Sequence, residues 1–252
     1  MKIEVRQTGG EWVLPRLSKS FAEYMPKGDG QGKEVIFYSL YNMVPKEKYR
    51  NEISIAFFTH DSGDGNFELF AERCDYIICM APQYERQLRK KGFKNIRTIT
   101  IPPEPQFECK LVIAWLGHFY NKYRKGFELY DKVKQLEWVK LLHPDHIPFE
   151  EIPSVIERCD YTLCTSRMEG GPLPLVESLA CGKKMIIPVD VGNADCFLGG
   201  IIPYHNSNWD SLLKKLELCY HAKLKIANLV KDITWNKFTQ DMEEVLHEID
   251  NW

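Results

Sequence analysis

Residues 72–79 read Glu72-Arg73-Cys74-Asp75-Tyr76-Ile77-Ile78-Cys79, and the pattern returns as Glu157-Arg158-Cys159-Asp160-Tyr161-Thr162-Leu163-Cys164. Each copy passes from the polar end of a helical pattern into an apolar, β-branched run, so each marks the same junction of an αβ unit. Two copies in one chain predict two similar halves.

Working outward, strand-like runs fall at 2–7, 34–41, 53–59, 76–81, 96–101, 111–117, 138–143, 161–166 and 184–189. Helical patterns lie between them near 11–25, 66–73, 83–91, 126–136, 149–158, 174–181 and 209–221. Alternation at this spacing predicts βαβ units and parallel sheets. Ile101-Pro102-Pro103-Glu104-Pro105 continues neither a helix nor a central strand and marks the break between halves. The expected domains are 1–104 and 105–232. A closing segment, 233–252, carries an apolar stripe of Trp235, Phe238, Met242, Val245 and Leu246 behind a capping Thr234, and is expected to cross back to the first domain.

Composition bounds the function. The chain has 252 residues and a formal net charge of −2 with the charges evenly spread, which argues against bulk-charge binding of nucleic acid. The start, Met-Lys-Ile-Glu-Val-Arg, has no apolar signal core, and no apolar run is long enough to span a bilayer. A cytoplasmic protein, or one peripheral on the cytoplasmic membrane face, is expected. Eight cysteines without a Cys-x-x-Cys pair read as reduced, mostly buried thiols.

The chemistry concentrates in Thr165-Ser166-Arg167-Met168-Glu169-Gly170-Gly171-Pro172-Leu173-Pro174-Leu175-Val176-Glu177-Ser178-Leu179-Ala180-Cys181-Gly182. A strand ends, a glycine-containing loop follows, and a helix begins near Pro174. Its open amides and positive helix end form a seat for phosphate. Glu169 and Glu177 flank the loop, and a carboxylate accepts two hydroxyl hydrogen bonds side by side. The pair suits a diphosphate between two polyhydroxylated groups, the make-up of a nucleotide sugar. A surface loop with two unrelated glutamates is the plainer alternative.

This segment resembles the glutamate-x7-glutamate motif of the retaining GT-B glycosyltransferases, the glycosyl transferases group 1 family. The flanking 152–165 and 183–188, and Thr234-Trp235-x-x-Phe238, are similar to the same family. The resemblance implies an α/β GT-B fold of two facing Rossmann-like, doubly wound parallel-sheet domains, the second holding the nucleotide sugar and the first the acceptor. It implies that Glu169 binds donor-sugar hydroxyls, Glu177 the ribose, and amides near Gly170, Gly171 and Leu173 the diphosphate. Pro172 stands where the family has glycine.

In Gly117-His118-Phe119-Tyr120-Asn121-Lys122-Tyr123-Arg124-Lys125-Gly126, Lys125 matches a family lysine on the diphosphate. His118 stands where the family has arginine, which leaves Lys122 and Arg124 as alternative compensating cations. The resemblance also places Gly9-Gly10 near the donor phosphate, His60 beside the reacting carbon and His143 in a loop bordering the nucleotide base. For Gly9-Gly10 a plain tight turn, and for His60 a structural histidine, explain the sequence as well.

The expected reaction is transfer of a sugar from a nucleotide diphosphate sugar, UDP favoured by the family, to an unidentified sugar, lipid or small-molecule acceptor, with no cofactor. No Asp-x-Asp motif is present to bring a metal, and none is expected. A GT-B epimerase or phosphorylase, and a non-catalytic nucleotide-sugar-binding subunit, are the alternatives. Asp61-Ser62-Gly63-Asp64-Gly65 has glycines where a calcium loop needs oxygen ligands. The basic stretch Arg86 to Arg97 reads as a solvated helix face or as a contact for anionic lipid or acceptor.

Overall fold

The computed structural model describes residues 1–8, 13–47, 52–61, 63, 65–104, 106–118, 120–143 and 148–251. It divides into a first unit of Met1–Pro105 with Val230–Trp252, and a second of Gln106–Leu229.

The first unit holds strands β1 (Lys2–Arg6), β2 (Glu34–Tyr38), β3 (Glu52–Phe58), β4 (Tyr76–Cys79) and β5 (Ile96–Thr98) in one parallel sheet, ordered as in the chain. Its helices are α1 (Val13–Tyr24), α2 (Asn66–Ala71) and α3 (Pro82–Lys90). Successive side chains on a strand point to opposite faces, so a strand covered on both sides is apolar throughout. Val35, Phe37, Ile55, Phe57, Tyr76 and Ile78 pack on one face with α1. Ile36, Tyr38, Ala56, Phe58, Ile77 and Cys79 pack on the other with α2 and α3. The connections through α1 and α2 step the same way across the sheet yet pass over opposite faces, so their crossovers have opposite hands. Parallel crossovers are right-handed almost without exception.

The closing helix, numbered α8 in chain order (Trp235–Asp250), belongs to this unit. Thr234 caps it, accepting the Lys237 N–H at 3.1 Å. Its stripe of Trp235, Phe238, Met242, Val245, Leu246 and Ile249 is buried beside Leu17 and Phe21 of α1. Phe21 stacks on Phe238, with ring centroids 5.4 Å apart.

The second unit holds β6 (Leu111–Ala114), β7 (Val139–Leu142), β8 (Tyr161–Leu163), β9 (Met185–Pro188) and β10 (Ile201–Tyr204), all parallel, in the order β10-β9-β8-β6-β7. Helices α4 (Phe127–Lys134) and α7 (Trp209–Ala227) cover one face. The other face is covered by α5 (Ile152–Glu157) and α6 (Leu173–Ala180). The chain leaves β6 toward β7 and returns on the far side of β6 as β8. Strand order therefore reverses between β6 and β8, and in open α/β sheets ligands bind outside the carboxyl ends of the strands at that point. Two parallel α/β sheets, each with helices on both faces, agree with the GT-B expectation.

The repeated octapeptide has a structural purpose. Asp75 accepts the Ser54 N–H at 2.8 Å while its own N–H donates to the Ser54 carbonyl at 2.9 Å. Asp160 does the same with Val112, at 2.8 Å each way. In both units an aspartate pins the start of a strand to its neighbour.

The strand β10 was not anticipated from the sequence. Pro203 interrupts its apolar run, and proline is tolerated because β10 is an edge strand. The expected strands 111–117 and 161–166 end three residues early. Trp115, Cys164, Thr165 and Ser166 beyond them remain buried without belonging to the sheet.

Replacing Phe238 by alanine empties a fully buried site and should cost about 3–5 kcal/mol in urea unfolding. A cost under ~1 kcal/mol would show that α8 does not dock on the first unit.

Candidate active site at the strand reversal of the second unit

A cavity of about 250 Å³ opens where the loops after β6 and β8 leave the sheet. It is lined by Trp115, Gly117, His118, Tyr120, Lys125, Ser166, Glu169, Gly171, Pro172, Leu173 and Pro174, among others. Sequence reasoning named His118, Lys125, Glu169, Gly171 and Leu173 for one site, and the fold brings all five to this cavity.

The two loops are held together at Gly126, the residue before α4. Gly126 is left-handed, with φ of 61°, and a Cβ there would lie 2.0 Å from the Thr165 carbonyl oxygen. Both the torsion and the space demand glycine. Around this contact the Thr165 hydroxyl donates to the Lys125 carbonyl at 2.7 Å and accepts from the Trp115 indole at 3.0 Å. The Arg167 N–H donates to the Arg124 carbonyl at 2.8 Å. Lys125 is thereby fixed opposite the 165–173 loop.

The lysine ammonium donates to Glu169 Oε1 at 2.5 Å, and the Arg124 guanidinium donates to Oε2 at 3.1 Å. Glu169 and Lys125 are mostly buried, with side chains 12% and 14% exposed. Burial pushes the Glu169 carboxyl up, but hydrogen bonds from Lys125 and Ser166 and the charge of Lys125 outweigh it. The group is held below its ordinary value. Lys125 and Arg124 both lie over the Tyr120 ring, 5.3 and 5.4 Å from its centroid. Of the two alternative cations, Arg124 meets Glu169, whereas Lys122 lies over the Phe127 ring. Two cations against one carboxylate leave this wall with net positive charge.

Opposite them α6 begins. Pro172 is its capping residue, and Pro174 occupies its first turn. Neither has an N–H, and the Leu175 N–H donates to the Pro172 carbonyl at 2.9 Å. The amides of Gly170, Gly171 and Leu173 donate to no backbone or side-chain acceptor among the described residues. Pro172 is seated against Gly192, where a Cβ would come within 2.6 Å of its ring. The departure from glycine at 172 is thus matched by a glycine behind it. Asn193 Oδ1 is buried beside Gly171 without a hydrogen-bond partner. Glu177 lies four residues beyond Leu173 on the same helix face, half-buried, its carboxylate free of ion pairs among the described residues.

Other expected residues lie elsewhere. His143, at the end of β7, pairs with the Tyr130 hydroxyl through Nδ1 at 2.8 Å and meets the Trp115 ring edge-on at 4.9 Å. Among the described residues it meets the cavity wall through Trp115. His60 follows β3 in the first unit, exposed, with Nδ1 2.9 Å from the Thr59 hydroxyl. Gly9 and Gly10 lie outside the described residues. Tyr120, Ser166 and Asn193 were not singled out from the sequence. Ser166 stands inside the quoted motif, but no pattern there signals a buried hydroxyl aimed at Glu169. Within the basic stretch, Arg89 donates to the Lys94 and Ile96 carbonyls and Arg97 pairs with Glu244. Those two cations hold structure.

The model of the family described as "Glycosyl transferases group 1" matches residues 84–234. An uncharacterized glycosyltransferase of Methanocaldococcus jannaschii is 25% identical over 219 residues, which cover 83% of this chain and 53% of that protein. The chain thus spans about half the length of this curated relative. Among solved structures, Anabaena HepE with UDP and glucose aligns over 100% of this chain and 98% of its own, at 11% identity and a TM-score of 0.39. Sucrose-phosphate synthase of Thermosynechococcus elongatus aligns over 86% of this chain and 72% of its own, at 12% identity and a TM-score of 0.39.

Replacing Gly126 by alanine should lower the melting temperature by several degrees, since the torsion and the Thr165 contact are both violated. Circular dichroism melting checks this, and an unchanged midpoint would contradict the contact. Because the folded Glu169 carboxyl titrates below its unfolded value of about 4.3, its stabilisation is full well above that value and is lost as pH falls through the folded value. The melting-temperature difference between wild type and Glu169→Gln should hold from neutrality to about pH 5 and shrink below it. A difference that grows on acidification would refute the pairing.

Proposed function

The chain belongs to the glycosyl transferases group 1 family, and from that premise we propose that it transfers a sugar, with retention of configuration, from a nucleotide diphosphate sugar to a hydroxyl acceptor. One observation carries the proposal: a cavity at the β6/β8 reversal faces open loop amides with Lys125 and Arg124. That is the charge arrangement a diphosphate needs on both of its flanks.

In this account the diphosphate lies between the amides of Gly170, Gly171 and Leu173 and the two cations. Lys125 is shared between Glu169 and the phosphate. Arg124 supplies the second positive charge beside Lys125. The Glu169 carboxylate keeps lone pairs for a donor-sugar hydroxyl, while Glu177, one turn along α6, takes the ribose. UDP is the favoured nucleotide. His143 borders its base through Trp115.

The reaction breaks the bond from the anomeric carbon to the phosphate oxygen. The acceptor oxygen bonds to the same face of that carbon, and its proton passes to the departing phosphate. No protein nucleophile is required. The chain's part is to position both partners and to stabilise charge on the leaving diphosphate, which Lys125 and Arg124 do without a metal.

A thermal-shift panel of nucleoside diphosphates and nucleotide sugars tests this, since stabilisation follows RT ln(1 + [L]/Kd). Glu177→Ala should weaken the nucleoside diphosphate itself. Glu169→Ala should chiefly erase discrimination among sugars, and Lys125→Ala should weaken every diphosphate by about tenfold or more. Activity should survive EDTA. Equal loss of both properties in the two glutamate variants would contradict the assigned roles.

A further inference from the structure

Helix α7 lies on the second unit, away from the residues that line the cavity at the strand reversal. One side is anchored: Leu212, Leu216 and Cys219 enter the core, and Lys223 donates to the Lys110 carbonyl at 2.9 Å and to Asp160 at 2.6 Å. The flank beside it is exposed. Leu218 is 65% exposed, Ile226 70%, and Leu229 in the following turn 78%. At 100° per residue, positions 214, 215, 218, 222, 225 and 226 fall within an arc of about 120°. They are Lys214, Lys215, Leu218, Ala222, Lys225 and Ile226, and that arc contains no acidic side chain. The three lysines form no ion pair among the described residues. At the start of the same face, a groove of about 690 Å³ is bordered by His205, Asp210, Ser211, Lys214, Lys215 and Leu218.

Large exposed aliphatic residues are tolerated singly, but a row of them interleaved with unpaired lysines asks for a partner that is both apolar and anionic. A second copy of the same face would set lysine against lysine. A nucleic acid would leave Leu218, Ile226 and Leu229 in water. An anionic bilayer meets both needs at once: the aliphatic side chains enter the headgroup boundary while the lysines remain among lipid phosphates.

We propose that the Leu218–Ile226 face of α7 docks on an anionic membrane surface, with Lys214, Lys215 and Lys225 among the lipid phosphates. The idea is independent of the transfer reaction, because the Glu169 site shares no residue with this face.

Vesicle flotation of the full chain tests it. Binding is expected to vesicles of phosphatidylcholine mixed with phosphatidylglycerol, with little to phosphatidylcholine alone, and it should weaken as salt rises. The variant L218E/I226E should lose binding, and K214Q/K215Q should lose it by about tenfold. Both should keep the wild-type melting temperature, since the four side chains lie outside the core. The control R86Q/K90Q/K94Q, on and just beyond α3, should bind as wild type does. Failure of the wild type to float with anionic vesicles overturns the proposal. So does undiminished flotation of L218E/I226E, transfer of the loss to the α3 control, or a dimer in solution that L218E/I226E dissolves.

Discussion

Gly126 and Thr165 come so close that the space between them has no room for a methyl group. One belongs to the loop after β6 and the other to the loop after β8, the two strands between which the second sheet reverses its order. Everything proposed for the site depends on this contact. It fixes the backbone of Lys125, which fixes the ammonium against Glu169, and the Thr165 hydroxyl ties the Trp115 ring to the same point. A sheet whose strands ran strictly in chain order, as in the first unit, would offer no such crevice.

The Glu169 pairings also show how a site can be preorganised without its ligand. Lys125 and Arg124 are long side chains that would lose considerable freedom on gripping a diphosphate. Held by Glu169 and by the Tyr120 ring, they have already lost much of it. Glu169 in this view acts twice: it orients the cations, and it offers its remaining lone pairs to a hydroxyl. The charge balance of such a wall, two cations against one carboxylate, matters too. One carboxylate offsets part of the positive charge, so the pocket need not be saturated with counterions before the ligand arrives.

Much of this was legible in the sequence because the residues concerned are consecutive. The alternation of apolar runs and helical stripes gives parallel sheets, and the 165–182 segment gives a loop, a helix start and two glutamates. Residues whose role depends on distant partners were not legible. Ser166 reads as a polar residue in a loop until the fold buries it against Glu169. Lys122 and Arg124 were equivalent candidates in the sequence; the turn through Asn121, whose side chain accepts the Arg124 N–H, sends them to different neighbours. The repeated octapeptide pointed correctly to two like units, but its aspartates serve strand pairing rather than chemistry. The edge strand β10 escaped notice because Pro203 breaks the pattern that identifies strands.

The central claim is that a pyrophosphate rests between the Leu173 amide and the Lys125 ammonium. A crystal structure of the chain with a nucleoside diphosphate tests it most directly. The account predicts phosphate oxygens within hydrogen-bonding distance of both groups, with the ribose toward Glu177. A diphosphate bound elsewhere on the chain, with Lys125 still directed only at Glu169, would contradict it.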